Sequence, residues 1–422
     1  MRTLLSINNY YYRRGGAEVV FLEQNRLFAE HGWNVIPFAM QHQNNLATPW
    51  SVHFAEEIEY GQRYSLWQKL ARVPKVIYSL EARRKLGRLV DQVRPDVAHA
   101  HNIYHHLSPS ILGALKERGI PVVLTLHDLK LACPAYKMWR PGGVCERCKG
   151  GALYNVLRYR CIKNSSALSA LVLLEAAVHE VSGVYRRDTN RFVVPSQFYL
   201  QKLLEWGWDR ERLVHIPNFV DVKSLRPDFT AGKAFLYVGR LVPEKGLGTL
   251  IRASIMADVP VWIAGAGPED EALRRLAEKL GADVTFLGHC NGEVLHDAVR
   301  SARAVVLPSE WYENAPMSVM EAYALGKPVI GAAIGGIPEL IREPETGITF
   351  ESGNAEALAV ALRQLTGAPD RQLADMARAG RAWMEADFTV ERYRDRVLEL
   401  YQQLGVQTAT HEALNTAGAT NA

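Results

Sequence analysis

The feature that most constrains this chain is a strand–helix rhythm that runs through it twice. In the first series, the short apolar runs "RTLLSIN", "NVIPFA", "DVAHAH", "PVVLTLH" and "RFVVPS" are separated by helical patterns, the first around "GAEVVFLEQNRLFAEHG". A second series starts near residue 234 with "AFLYVGR", "PVWIAGAG", "DVTFLGH", "ARAVVLPS" and "KPVIGAA". Runs rich in Val, Ile and Leu that alternate with helices predict parallel strands buried on both faces, because each crossover helix covers the sheet. Between the series, "IPNFVDVKSLRPDFTAGK" (216–233) holds Pro217, Asn218, Pro227 and Gly232 with little periodicity, which places a domain boundary there. The expected fold is α/β, with two doubly wound domains facing each other across a cleft and ligands at the carboxyl ends of the strands. Such an architecture implies a cleft ligand and leaves its chemistry open.

Charge separates the halves. Residues 1–220 hold 29 Lys and Arg against 18 Asp and Glu, a net of +11, and residues 221–422 hold 20 against 27, a net of −7. A basic front half predicts a meeting with something anionic, such as lipid headgroups or phosphate, the alternative being a solvated surface bias. Nucleic acid is not expected, since no basic–aromatic repeat or known module is present. "MRTLLSI" is too short for the apolar part of a secretory signal, so the expected location is the cytoplasm. "ALSALVLLEAAV" (167–178) falls short of the roughly 20 residues a spanning helix needs, and Glu175 interrupts it. It reads as a buried helix, with a helix lying on a membrane surface as the alternative. The closing "GVQTATHEALNTAGATNA" reads as a flexible tail.

Three strand ends in the second series suit a nucleotide's diphosphate. In "YVGRLVPEKGLGTL", Arg240 and Lys245 flank a short loop that opens a helix, so both cations can serve one site, with backbone amides adding donors. An ordinary basic loop is the alternative. In "IAGAGPEDEAL", Gly265 and Gly267 permit close backbone approach, although tight strand-to-helix turns need glycine anyway. In "LPSEWYENAPMSVMEAYALGKPVI", Pro316 predicts a helix start near residues 315–316. Glu313 then lies in the preceding loop and Glu321 on the second turn. The amides of Met317 and Ser318 point where phosphate is favoured. Glu321, among Val319, Met320, Ala322 and Ala324, can accept both hydroxyls of a ribose.

Glu313 and Glu321 at this spacing, after "LPSEW" and before "EAYALGKPVI" and "GGIPEL", resemble the donor signature of family-4 retaining glycosyltransferases of the GT-B fold. The resemblance runs from Gly15-Gly16-Ala17-Glu18 through "VGRLVPEKG" to "GGIPE". It implies two Rossmann-like domains, 1–220 on the acceptor side and 221–388 on the nucleotide-sugar side. A helix at 389–405 would cross back to the first domain, and 406–422 would form the tail. It implies that Arg240 and Lys245 hold the donor diphosphate, UDP- or GDP-linked, and that Glu321 binds the ribose. Glu313 would hold the transferred sugar, with amides of Asn314, Ala315, Pro316–Met317 and Ser318 completing the cradle. "FLGH" (286–289), with Gly288, would lie against the nucleobase. No metal or other cofactor is required for transfer, because the two cations neutralise the leaving group.

The Gly15-Gly16 loop after the first strand would approach a phosphate without a Cβ clash; in the family it resembles a lid between donor and acceptor. Arg13 and Arg14 would favour an anionic acceptor, and Tyr10, Tyr11 and Tyr12 either stack on sugar or pack. His127 and Asp128 end one strand, and His99, His101, Asn102 and His105 follow another. By the resemblance His127 faces the transferred sugar. His101, Asn102 and Asp128 are candidates to meet the acceptor.

Four of five cysteines, Cys133, Cys145, Cys148 and Cys161, cluster in an insert at about 133–161 around "RPGGVCERCKGG". A CxxC with two flanking cysteines in a reducing compartment favours a structural zinc over disulfides, with unliganded thiols as the alternative. The insert falls where an acceptor would enter. The leading reading is a membrane-associated glycosyltransferase that extends a lipid-linked glycan for a cell-surface polysaccharide. A transferase for a small soluble acceptor, or a sugar-nucleotide-binding protein without turnover, are the alternatives.

Overall fold

The computed structural model describes residues 2–57 and 74–408; the expected tail from residue 409 onward lies outside them. The apolar runs form two six-stranded sheets in which every strand pair is parallel. The first contains β1 (Thr3–Ile7), β2 (Asn34–Phe38), β3 (Val97–Ala100) and β4 (Val122–Thr125). Two short antiparallel strands, β5 (Trp139–Arg140) and β6 (Gly143–Val144), belong to the cysteine insert, after which β7 (Arg191–Val194) and β8 (Leu213–His215) rejoin the main sheet. Its order is β2-β1-β3-β4-β7-β8. The second sheet holds β9 (Phe235–Val238), β10 (Val261–Ala264), β11 (Val284–Gly288), β12 (Ala304–Leu307), β13 (Val329–Ala332) and β14 (Gly347–Phe350). Its order is β11-β10-β9-β12-β13-β14. Strand order reverses beside β1 in one sheet and beside β9 in the other, which makes the ends of β1, β3, β9 and β12 the places where a crevice opens.

Both faces of the strands are buried, as their composition predicts. Val122 and Leu124 face one core while Val123 faces another, and Phe192 and Val194 divide from Val193 in the same way. The second face of the first sheet is covered partly by the helix Val390–Gln403, whose Tyr393, Val397, Leu400 and Tyr401 pack with Leu4, Val97, Val123 and Val193. Thr389 caps that helix by accepting from the Arg392 N–H. The chain therefore crosses to the second domain and comes back to finish the first.

The helix Ser166–Ser182 departs from its expected burial. Only Ser169, Val172, Glu175 and His179 point inward, while Ala167, Ala170, Leu174, Val178 and Val181 form an exposed stripe. Glu175, the residue that interrupts the apolar run, is fully buried, with Lys130 Nζ at 3.0 Å and His105 Nδ1 at 3.0 Å. Burial alone would raise its carboxyl, but Lys130 and His105 hold it down to about 2. The helix is apolar outside and ionic inside.

Candidate functional site

The loops after β9 and β12 meet above the second sheet. Lys245 ends the 3-10 turn Pro243–Lys245, and Gly246 follows at φ +68. A Cβ on Gly246 would stand 1.9 Å from the Pro308 carbonyl, so only glycine lets the two loops close. The closure places Lys245 Nζ 2.5 Å from Glu313 Oε1, and Ser309 Oγ donates to the same oxygen at 2.7 Å. The ammonium also lies 5.2 Å from the centroid of the Trp311 ring. Burial would raise Glu313, yet Lys245, Ser309 and Trp311 keep it below its ordinary value, so it stays a carboxylate. Arg240 is exposed and has no salt-bridge partner among the described residues; its carbonyl accepts from the Tyr237 hydroxyl at 2.9 Å. Gly265 and Gly288 sit at the ends of β10 and β11, joined by the Gly265 N–H to the Gly288 carbonyl at 2.7 Å. A Cβ on Gly265 would meet Gly239 O at 1.8 Å, so its close approach is to the chain's own backbone.

The helix Met317–Ala324 begins where the proline predicts, with Pro316 as its N-cap residue, and Glu321 falls on its second turn. Burial raises the Glu321 carboxyl to about 7, with the charge of Arg13 working the other way. Ala315, Pro316, Met317 and Ser318 are half-buried along the cleft. The side chain of Asn314, whose backbone amide is the part expected in the cradle, is spent on the first domain. It accepts from Ser196 Oγ at 2.6 Å and donates to the Leu126 carbonyl at 2.8 Å. Only its backbone is left for a ligand.

Gly15 and Gly16 open the helix Gly16–Glu30, and an atom at the Gly16 Cβ position would lie 3.5 Å from Met317 Cγ. Two helix N-termini, one from each domain, thus converge at one point of the cleft, which is where an anion is favoured. Arg13 is exposed and bonds Glu23, and its charge acts on Glu321 without direct contact. Arg14 lies over the Tyr10 ring at 4.2 Å. Tyr10 is buried in the core and Tyr12 stacks on His42 at 4.6 Å, so these tyrosines pack within the domain.

On the first-domain wall, His127 Nε2 and His101 Nδ1 share a hydrogen bond of 2.8 Å. His101 stacks on both His99 and His127, and His99 bonds Thr125 and Tyr401 at 2.7 Å each. Burial lowers His127 to about 4 and His99 to about 3, and pushes His101 down as well, so all three rings are neutral near pH 7. His101 is 0% exposed and has no surface to offer an acceptor, the role expected of it; its ring is spent on His127. His105 is likewise turned inward, onto Glu175. Asp128 is raised to about 6, by burial first, with nearby Glu18 adding repulsion. Asn102 holds the end of β1, donating its N–H to Asn8 Oδ1 at 3.0 Å and accepting from the Asn9 N–H at 2.7 Å.

Cys133, Cys145, Cys148 and Cys161 line one small cavity and form no disulfide. Burial, then Cys133, Cys161 and Cys145, push the Cys148 thiol up to about 12. Among the described residues no three His, Cys, Asp or Glu side chains stand as a ready-made metal shell.

Sequence reading missed the contacts that join the domains. Glu339, inside "GGIPEL", caps the first-domain helix Gln197–Glu205 by accepting from the Gln197 N–H at 2.8 Å and from the Phe198 N–H. Asn218 donates to the Ala315 carbonyl at 3.2 Å, Tyr312 to Glu146 at 2.9 Å, and Lys137 pairs with Glu244 at 2.6 Å. No local pattern signals such pairs, because each partner lies in a different domain.

The family model described as Glycosyltransferase Family 4 matches residues 14–224, and that described as Glycosyl transferases group 1 matches 227–383. MJ1607, an uncharacterized glycosyltransferase of Methanocaldococcus jannaschii, is 34% identical over 334 residues, covering 76% of this chain and 75% of that one. A GDP-mannose-dependent monoacylated alpha-(1-6)-phosphatidylinositol monomannoside mannosyltransferase of Corynebacterium glutamicum is 30% identical over 49% of this chain and 60% of its own length. A D-inositol 3-phosphate glycosyltransferase of Rhodococcus opacus is 32% identical over 49% of this chain and 51% of its own. The match to these last two spans little more than half of each relative. Sucrose-phosphate synthase from Thermosynechococcus elongatus superposes with a TM-score of 0.70 at 20% identity, covering 96% of this chain and 99% of that one. HepE of Anabaena, crystallised with UDP and glucose, gives 0.66 at 17% over 96% and 100%. At these identities the likeness is one of fold.

Proposed function

This chain belongs to glycosyltransferase family 4, and from that premise we propose that it transfers a sugar, with retention, from a nucleoside diphosphate sugar to a glycan acceptor. One observation supports this above the others: Lys245 and Glu313 are paired at 2.5 Å in the cleft, beside two converging helix N-termini and a second, half-buried acid, Glu321. In this reading Lys245 and Arg240 neutralise the departing diphosphate, aided by the amides of Met317 and Ser318. Glu313, kept ionised, accepts from hydroxyls of the transferred sugar, and Glu321 from the ribose diol. The acceptor hydroxyl attacks the anomeric carbon on the face the diphosphate leaves. The carbon–oxygen bond to phosphate breaks with its electron pair going to phosphate, and the acceptor proton passes to that departing oxygen. Catalysis then consists of positioning and charge stabilisation, without a protein nucleophile or a metal. His127, neutral and held by His101, presents its other ring nitrogen towards the sugar.

The acceptor is proposed to be lipid-linked, in cell-surface polysaccharide synthesis on the cytoplasmic face of a membrane. No helix of the described residues is long and apolar enough to cross one. The outward aliphatic stripe of Ser166–Ser182 supports surface contact instead, with Leu174, Val178 and Val181 exposed and Arg158, Arg160 and Lys163 exposed nearby. The test of the donor assignment is a thermal-shift panel of UDP- and GDP-sugars. A cognate donor raises Tm in a concentration-dependent way. No shift with any of them at millimolar concentration would remove the donor assignment.

A further inference from the structure

The insert 133–161 contains little that could hold it in shape. Its regular structure is a pair of two-residue strands, the 3-10 turn Lys149–Gly151 and the four-residue helix Asn155–Arg158. Ala135 and Val156 are buried with Val172 of the following helix, and Met138 reaches into the first domain's core, too little for a self-supporting unit. Natural units of this size are stapled by disulfides or a metal. The four thiols here are unbridged and face one cavity, whose wall also carries Arg140.

The same insert grips the second domain at two points. Lys137, between the first two cysteines, lies 2.6 Å from Glu244 Oε1, and Glu244 is 1% exposed with Lys137 as its ion-pair partner. Glu146, inside the CxxC, accepts from the Tyr312 hydroxyl at 2.9 Å. Glu244 immediately precedes Lys245, and Tyr312 immediately precedes Glu313. The insert therefore holds the neighbours of both members of the Lys245–Glu313 pair.

We propose that Cys133, Cys145, Cys148 and Cys161 bind one structural Zn2+ as thiolates, and that the metal-held insert is a clasp fixing the donor loops through Lys137 and Glu146. Four half-buried sulfurs around one small cavity are a donor set that selects zinc among the abundant divalent ions. Each thiol gives up its proton on binding, and Arg140 offsets part of the resulting negative charge. Since the thiols ring the cavity without forming a finished shell, the ion draws them inward and orders the segment. Lys137 and Glu146 are positioning residues, acting through the loops that carry Lys245 and Glu313. The clasp rests on the donor reading of those two residues; the metal site does not.

The test is metal analysis of the full-length protein purified without added metal, joined to titration with UDP and GDP. About one zinc per chain is expected, released by a thiol-blocking mercurial and lost in the Cys145→Ser/Cys148→Ser variant. Removing the metal should weaken nucleotide binding about tenfold or more, the loss of a charge-assisted contact. Lys137→Ala should keep its zinc and show the same weakening, with Lys137→Arg restoring most of it. A metal-free native protein in which the insert's four thiols titrate along with Cys290, or in which they form disulfides, overturns the site. Zinc present, with unchanged nucleotide affinity in both the metal-free protein and Lys137→Ala, overturns the clasp. A zinc-bearing wild type that binds neither nucleotide overturns the donor reading and the clasp with it, and leaves the metal site standing.

Discussion

Glu313 and Glu321 share a helix and its leading loop, yet their surroundings push them in opposite directions. Glu313 has Lys245 as a counter-ion and stays ionised, whereas burial raises Glu321 to about 7 with only distant help from Arg13. The raised value has a consequence for stability. Between its ordinary 4.5 and about 7, the folded protein keeps a proton on Glu321 that the unfolded chain has lost. Its contribution is therefore fully present below 4.5, declines as pH rises, and is gone once the folded carboxyl ionises. Glu321→Gln removes that liability. The variant should melt above the wild type at about pH 8, the gap should close towards about pH 5, and sugar transfer should be largely lost. A melting-temperature series against pH checks this; a gap that widens towards acid would contradict it. The residue types and spacing made both acids legible in the sequence. Their unlike ionisation was not, because it depends on which loop Lys245 reaches across.

At the level of elements, the helix Ser166–Ser182 is the one whose sequence misled. Twelve largely apolar residues read as core, but Glu175 and His179 turn inward because Lys130 and His105 wait there, and Leu174, Val178 and Val181 are left outside. A buried ion pair costs little when every charge is answered, and breaking it costs about 3–5 kcal/mol. Val178→Glu with Val181→Glu should change unfolding stability by no more than about 0.5 kcal/mol, since both side chains face water. The same variant should lose binding to vesicles containing anionic lipid, measured by flotation. Undiminished flotation would remove the membrane contact from this helix. The elements proposed to face phosphate, by contrast, were readable. The strand, short loop and helix of Phe235–Ala257, and the proline before Met317, follow from local rules that need no knowledge of the partner domain.

Across the whole molecule, the helix Val390–Gln403 ties the end of the chain to its beginning. Tyr393 donates to Gln24, and Tyr401 reaches His99, which in turn stacks against the ring that holds His127. Truncation after Phe388 would uncover Leu4, Val97, Val123 and Val193 and leave His99 without one of its partners. The shortened protein should expose enough apolar surface to bind a dye such as ANS and should unfold at lower denaturant, with the first domain affected before the second. An unchanged denaturation midpoint would mean that the helix is ornamental to the first domain's stability.

What this sequence determined by itself is whatever repeats over a few residues: two parallel-sheet domains, the linker between them, the helix starts, and a donor signature whose acids, cations and glycines sit at fixed offsets. Family membership follows from that same local record. What only the tertiary structure decided is which side chains answer one another across the cleft. The Asn314 side chain is spent on Ser196 and Leu126, His101 is buried behind His127, the charge of Arg13 acts on Glu321, and Lys137 and Glu146 meet Glu244 and Tyr312. The physical reason is that backbone preference is set by near neighbours along the chain. The charge state and reach of a side chain depend on burial and on partners that can be more than a hundred residues away.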